Sequence, residues 1–301
     1  MKKKNFMIAI IVFIVGAGIF ALINQPTATF NNKTISQHDD TGTKTKENEE
    51  NEDVGEESQD ETEEDEPSTE QRQLSTVAIE AFQEAVDFFT NQNTHIVAVG
   101  DSLTQGVGSS NGGGYVGILD SALNAEGQIV SFDNFGIRGN RSDQLLERLD
   151  NPEVSTALED ADIVLITIGA NDIMKVVREN FTNLKIEEFR QERIDYEERL
   201  QQIFTKLKHI NPNTDIYLLG FYNPFEQYFQ DIEELDMIVE SWNKTGNDIA
   251  QEDASITFIP TVDLFDDPDA NLFAEDNFHP NDRGYQRMAR RVLDYLTNEE
   301  G

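Results

Sequence analysis

From residue 94 onward, five short apolar runs punctuate the chain, at 95–99, 129–135, 163–168, 216–221 and 256–262. They are rich in β-branched residues and largely continuous rather than alternating, the pattern of strands covered on both faces. Between them, apolar residues recur three and four apart. That period predicts helices over 114–124, 142–159, 172–179, 186–210, 232–252 and 281–297, with an amphipathic helix over 76–90 leading in. Strand and helix alternating in this way build an α/β fold, a five-stranded, mainly parallel sheet with helices on both faces. No internal repeat is visible, and one domain over 73–301 accommodates the pattern.

The first quarter of the chain has a different texture. Residues 1–5 are basic, and residues 6–23 form an uncharged, almost wholly apolar run, near the lower length limit for a bilayer-spanning helix. Lysines before the run and no basic cluster just after it predict an N-terminus inside the cell and the rest outside. A cleaved signal peptide is the rival expectation, with a secreted product. Phe20-Ala-Leu-Ile-Asn-Gln25 is a poor cleavage site, which favours an uncleaved membrane anchor. Residues 24–72 turn from Asn, Thr and Lys to a nearly pure acidic run at 47–66. Low hydrophobicity and like-charge repulsion predict an unfolded, extended spacer. Calcium binding is the weaker expectation there, since scattered carboxylates do not make a cage.

Charge narrows the function classes. The 301 residues carry a net charge of −35, and residues 71–301 hold 17 of the 23 basic and 42 of the 58 acidic side chains. Nucleic acid is therefore not an expected partner, because phosphate backbones are bound by Lys and Arg. An acidic folded part fits either ordinary solubility or adaptation to high salt or alkaline surroundings. The absence of cysteine removes disulfides, thiolate metal sites and cysteine nucleophiles. A domain of this size does not need disulfides to exist outside the cell.

Four places then carry candidate chemistry. In Val97-Ala-Val-Gly-Asp-Ser-Leu-Thr-Gln-Gly106 a buried strand ends in a polar turn and runs into a helix, which puts Ser102 at the carboxyl edge of a parallel sheet. Open α/β sheets hold their chemistry at that edge, and unpaired helix N–H groups there favour negative charge. Ser102 is alternatively a helix cap. In Phe132-Asp-Asn-Phe-Gly-Ile-Arg-Gly-Asn140, Gly136 and Gly139 follow a strand end, with Ser142 able to cap the next helix. This is either a simple turn or a place where a backbone N–H approaches a ligand closely. In Ile163-Val-Leu-Ile-Thr-Ile-Gly-Ala-Asn-Asp172, Asn171 stands ready to donate its amide to an oxyanion or to cap a helix. In Asp276-Asn-Phe-His-Pro-Asn281, His279 has a carboxylate three residues away. On a tight turn Asp276 would accept a hydrogen bond from Nδ1–H and leave Nε2 free as a base for a serine. The other histidines, His38, His95 and His209, fall in the spacer, at a strand start and at a helix end.

Together, Gly100-Asp-Ser-Leu103, Gly136, Gly169-Ala-Asn-Asp172 and Asp276-Asn-Phe-His279 resemble the four ordered blocks of the GDSL-type, or SGNH, hydrolases, over roughly residues 95–298. Within that family the sequence looks most like the small bacterial lysophospholipase/esterase L1-like group, in its membrane-anchored Bacillus-type form. The resemblance implies a flavodoxin-like three-layer α/β/α sandwich and a serine esterase. It implies Ser102 as nucleophile, His279 as base and Asp276 as its orienter. The oxyanion hole would be the backbone N–H of Ser102, that of Gly136 and the side chain of Asn171, with no metal and no organic cofactor. The implied substrates are carboxylic esters, lysophospholipids or short acyl esters, with O-acetylated cell-wall polysaccharide as the alternative. Phe221, Tyr222 and Phe225 are candidates to line an acyl pocket, or are ordinary core aromatics. A catalytically silent surface binding protein on the same fold is the rival class.

Overall fold

A computed structural model describes residues 84–90, 92–110, 112–180, 182–224, 233–267 and 269–297. The basic N-terminus, the apolar run at 6–23, the spacer at 24–72, most of the helix expected at 76–90, and Phe225 lie outside the described residues. Residues 84–89 are helical. After them come β1 (Thr94–Gly100), α1 (Ser102–Gln105), α2 (Gly114–Leu123), β2 (Val130–Gly136), α3 (Ser142–Arg148), α4 (Pro152–Glu159) and β3 (Ile163–Thr167). Then come α5 (Ala170–Glu179), α6 (Ile186–Ile210), β4 (Asp215–Leu219), α7 (Glu233–Ala250), β5 (Ile256–Ile259) and α8 (Asp282–Thr297).

All five strands are parallel, in the order β2-β1-β3-β4-β5. This is the doubly wound, flavodoxin-like order, whose direction of winding reverses between β1 and β3. Strand alternation sorts the core into two layers. Ile96, Ala98 and Leu165 face α2 and α8 through Tyr115, Leu119, Tyr285 and Val292. Val97, Val99, Val164 and Ile166 face α3 to α7 through Leu145, Leu200, Ile203 and Trp242. Trp242 is fully buried and stacks on Tyr196 with ring centroids 4.7 Å apart. The result is a three-layer α/β/α sandwich, as the resemblance implies.

Departures from the expected elements have local causes. The helix expected over 142–159 is two helices, because Pro152 lacks an N–H and Asn151 caps a fresh start by accepting from Glu153 N–H at 2.9 Å. The last strand stops at Ile259 and gives way to a 3-10 turn at Val262–Leu264. The second strand is less buried than a central strand, since it lies at the sheet edge.

The register places the site. Gly100 at the end of β1 pairs with Gly136 at the end of β2 and with Thr167 at the end of β3. Three strands thus finish level, and the segments leaving them share one edge beside the reversal point. Gly100 has φ +149°, and a Cβ there would sit 2.2 Å from the Thr167 carbonyl oxygen, so the turn out of β1 requires glycine.

Candidate active site

Asp101, not Ser102, caps α1: its Oδ1 accepts from the Leu103 N–H at 3.0 Å. The Thr104 N–H donates to Thr167 Oγ1 at 3.2 Å, and the Thr167 hydroxyl donates to Asp101 Oδ1 at 2.8 Å. Of the first three N–H groups of α1, only that of Ser102 is left unpaired among the described residues. The capping alternative for Ser102 therefore gives way, because a neighbour already does that work. Burial pushes the Asp101 carboxyl up to about 6, against the hydrogen bonds from Thr167 and Leu103.

Asp276, Asn277, Phe278 and His279 form a tight turn just before α8, with Asn277 in the left-handed region at φ 54°. Asp276 Oδ1 accepts from the backbone N–H groups of Phe278 at 3.0 Å and His279 at 2.9 Å. Its Oδ2 meets His279 Nδ1 at 2.6 Å. On the other side of the ring, His279 Nε2 lies 2.8 Å from Ser102 Oγ. Ser102 is 5 % exposed and His279 3 %, so the line of contacts is shielded from bulk water. Burial alone would raise the Asp276 carboxyl. The hydrogen bonds from the His279 ring and backbone, the charge of a protonated His279 and the Phe278 N–H outweigh it and hold the group at about 2. The Tyr222 hydroxyl donates to the Phe278 carbonyl at 3.0 Å, tying the end of the sheet to this turn.

Asn171 lies in the first turn of α5, whose N-cap is Gly169, so it is not a cap either. Its Nδ2 donates to the Asn140 carbonyl at 3.0 Å, and an amide nitrogen has a second hydrogen to offer. Gly136 departs from expectation. Its N–H donates to Asn134 Oδ1 at 2.9 Å, and the glycine is needed because a Cβ would lie 2.2 Å from the Gln105 nitrogen. The sequence marks Gly139, three residues on, with Gly136 as a residue of this turn, but the resemblance gives it no place in the oxyanion hole. Its φ is +80°, no atom lies within 4 Å of where a Cβ would be, and its N–H has no partner among the described residues. Its neighbours fix its place: the Arg138 N–H donates to Gln105 Oε1 at 2.7 Å, and Asn140 is held by Asn171. The signal in the sequence was a second glycine in the same turn.

Ser142 does not cap α3 with its side chain. Its hydroxyl and N–H both donate to the buried Asp172 carboxylate, at 2.6 and 3.0 Å. Arg199 from α6 bonds Ser142 Oγ at 2.6 Å, Asp172 at 3.1 Å and Glu192 at 2.6 Å. The loop carrying Gly139 and the turn carrying Asn171 are thus braced by one polar cluster. Burial raises the Asp172 carboxyl against the bonds from Ser142 and the Arg199 charge.

A cavity of about 190 Å³ opens at Ser102 and runs between α5, the start of α6, the chain leaving β4 and the start of α7. Ile173, Met174, Val177, Phe189 and Ile238 give it an apolar wall. Phe221 and Tyr222 line it and are also buried against the core. Among the described residues no three metal-ligating side chains converge.

Fold and site together define a carboxylic ester hydrolase. The chain belongs to the GDSL-like lipase/acylhydrolase family, whose pattern residues 98–287 match. It is 35 % identical over 224 residues to YpmR of Bacillus subtilis strain 168, covering 73 % of this chain and 88 % of that protein. It is 26 % identical over 205 residues to the spore germination lipase LipC of Bacillus licheniformis, covering 65 % of this chain and 92 % of LipC. In solved structures the same fold recurs in the lipase Lip_vut3 from a goat rumen metagenome, at TM-score 0.60 and 23 % identity over 69 % of this chain and 99 % of that one. It recurs also in Axe2, an acetyl-xylooligosaccharide esterase from Geobacillus, at TM-score 0.52 and 22 % identity over 68 % and 95 %.

Proposed function

We propose that this chain cleaves carboxylic acyl esters, such as lysophospholipids or short acyl esters, through a Ser102–His279–Asp276 triad and an acyl-enzyme. The observation that carries the reading is the unbroken line from Asp276 Oδ2 through the His279 ring to Ser102 Oγ, at 2.6 and 2.8 Å. His279 Nε2 takes the Ser102 proton as Oγ attacks the ester carbonyl carbon. The Asp276 carboxylate holds the imidazole in the tautomer with Nδ1 protonated and stabilises the imidazolium that forms.

The carbonyl oxygen becomes an oxyanion facing the Ser102 N–H, the Asn171 side chain and the Gly139 N–H. Gly139 takes the place expected of Gly136, whose N–H is already engaged by Asn134. Each preorganised donor lowers the barrier by about 3 kcal/mol. His279 then protonates the leaving alcohol. Water activated by the same nitrogen hydrolyses the acyl-enzyme and restores Ser102. These steps are supplied by the chain's own side chains and N–H groups.

The lysine-led apolar run at 6–23 supports a single-pass anchor with the hydrolase domain outside the cell, facing envelope esters. Secretion after cleavage is the alternative. N-terminal sequencing of the chain recovered from cells distinguishes the two: Met1 retained in a membrane fraction supports the anchor, and a new N-terminus in the medium overturns it.

The catalytic reading is tested with a fluorophosphonate probe and p-nitrophenyl esters. Wild type is labelled at Ser102 and turns over, whereas Ser102→Ala is folded, unlabelled and inactive. Turnover by Ser102→Ala at the wild-type rate would rule the triad out, and an unlabelled, inert wild type would favour the silent binding protein.

A further inference from the structure

We infer that the cavity beside Ser102 is a gauge for a medium-length acyl chain of about eight carbons, whose length is set along α5 as far as Val177, with Leu184 beside it in the lining. The inference rests on Ser102 being the nucleophile. Helix α5 supplies one wall as a single stripe, Ala170, Ile173, Met174 and Val177, at the three- and four-residue spacing that keeps side chains on one helix face. Ala170 stands at the Ser102 end. Seven residues on, at a rise of about 1.5 Å each, Val177 stands about 10 Å away. Leu184, in the connection after α5, lines the same cavity.

The length of that wall sets the scale: an extended alkyl chain advances ~1.3 Å per carbon, from bonds of ~1.5 Å at tetrahedral angles, so about 10 Å holds about eight carbons. An acetyl group would leave nearly all of this space empty, and a sixteen-carbon chain would overrun it. A sugar would meet an almost wholly aliphatic and aromatic wall, where its hydroxyls find no partners. The fitting substrate is therefore an ester whose acid is a straight alkyl chain, lying along α5 with its carbonyl at Ser102. The alcohol leaves on the side of the Gly139 loop.

The test uses the full chain and p-nitrophenyl esters of two to sixteen acyl carbons, followed by kcat/KM. The expected profile rises about three- to fourfold per methylene up to about eight carbons and falls beyond. Val177→Phe shortens the optimum by about two carbons and Val177→Ala lengthens it by about one to two, each side chain changing the wall there by a few methylene volumes. Opposite shifts from opposite volume changes support the gauge even if one variant folds poorly. A wild-type optimum at two carbons, a flat profile, or an optimum unmoved by both variants overturns it. Failure of the underlying catalytic reading looks different: no ester of any length turns over and the fluorophosphonate leaves Ser102 unmodified.

Discussion

At the scale of single residues, two carboxylates near Ser102, the half-buried Asp276 and the buried Asp101, are set in opposite directions by their surroundings. Asp276 is held at about 2 by the hydrogen bonds that aim His279. Its folded-state pKa is depressed, so its contribution to stability is fully present above about pH 4 and is lost as pH falls through about 2. It adds no limb to the pH–rate profile above about pH 3. Asp276→Asn is expected to lower kcat by about 10³- to 10⁴-fold with the fold intact, because the imidazole loses the partner that fixes its tautomer. Stopped-flow and steady-state kinetics against circular dichroism check this. Asp101 is the reverse case, raised by burial to about 6. The native state then binds the proton more tightly than the unfolded chain, so stability is full below about pH 4 and declines as pH rises through about 6, by about 3 kcal/mol. Asp101→Asn keeps an acceptor for the Leu103 N–H and the Thr167 hydroxyl, and carries no charge to bury. Its denaturant midpoint is expected above wild type at about pH 8 and level with it at about pH 4. A midpoint lower at both pH values would contradict the assignment.

At the scale of elements, the strand ends of β1, β2 and β3 finish level, and the polar cluster around Arg199 fixes the segments beyond them. Arg199 compensates Asp172 and Glu192, which have little access to water. Arg199→Met leaves both carboxylates without that partner and is expected to cost about 3 kcal/mol or more, read from urea unfolding. Because the same cluster braces α3 and α5, kcat should fall more than KM rises. A variant with wild-type stability would show that the cluster carries little. The strands were legible in the sequence because parallel strands covered on both faces read as apolar runs. Helix breaks were less so: the period over 142–159 is continuous, and only Pro152 marks where one helix ends and another starts. The convergence of Ser102, His279 and Asp276 was legible because they sit at one strand end and in one tight turn. Which of Gly136 and Gly139 offers a free N–H was not, since that depends on side chains from elsewhere, here Asn134 on Gly136 and Asn171 on Asn140. The apolar cavity was illegible for a like reason. Its walls come from α5, α6, α7 and the β4 exit, separated by many residues, and each looks like core on its own.

At the scale of the whole molecule, the surface charge is the dominant feature, with 42 acidic against 17 basic side chains over residues 71–301. Self-repulsion of this size opposes the compact state and is screened by salt. The urea midpoint is expected to rise steadily from about 0.05 M to about 1 M NaCl, and a midpoint independent of salt would mean that the local ion pairs already balance the field. The central claim of the proposed function is a covalent intermediate on one serine. The measurement that tests it most directly is intact-mass analysis of the enzyme quenched within the first turnovers of p-nitrophenyl octanoate. The account predicts a single added octanoyl group on the peptide containing Ser102, formed with a burst of nitrophenol and absent from Ser102→Ala. Turnover without a burst, with Ser102 unmodified at every quench time, would contradict it.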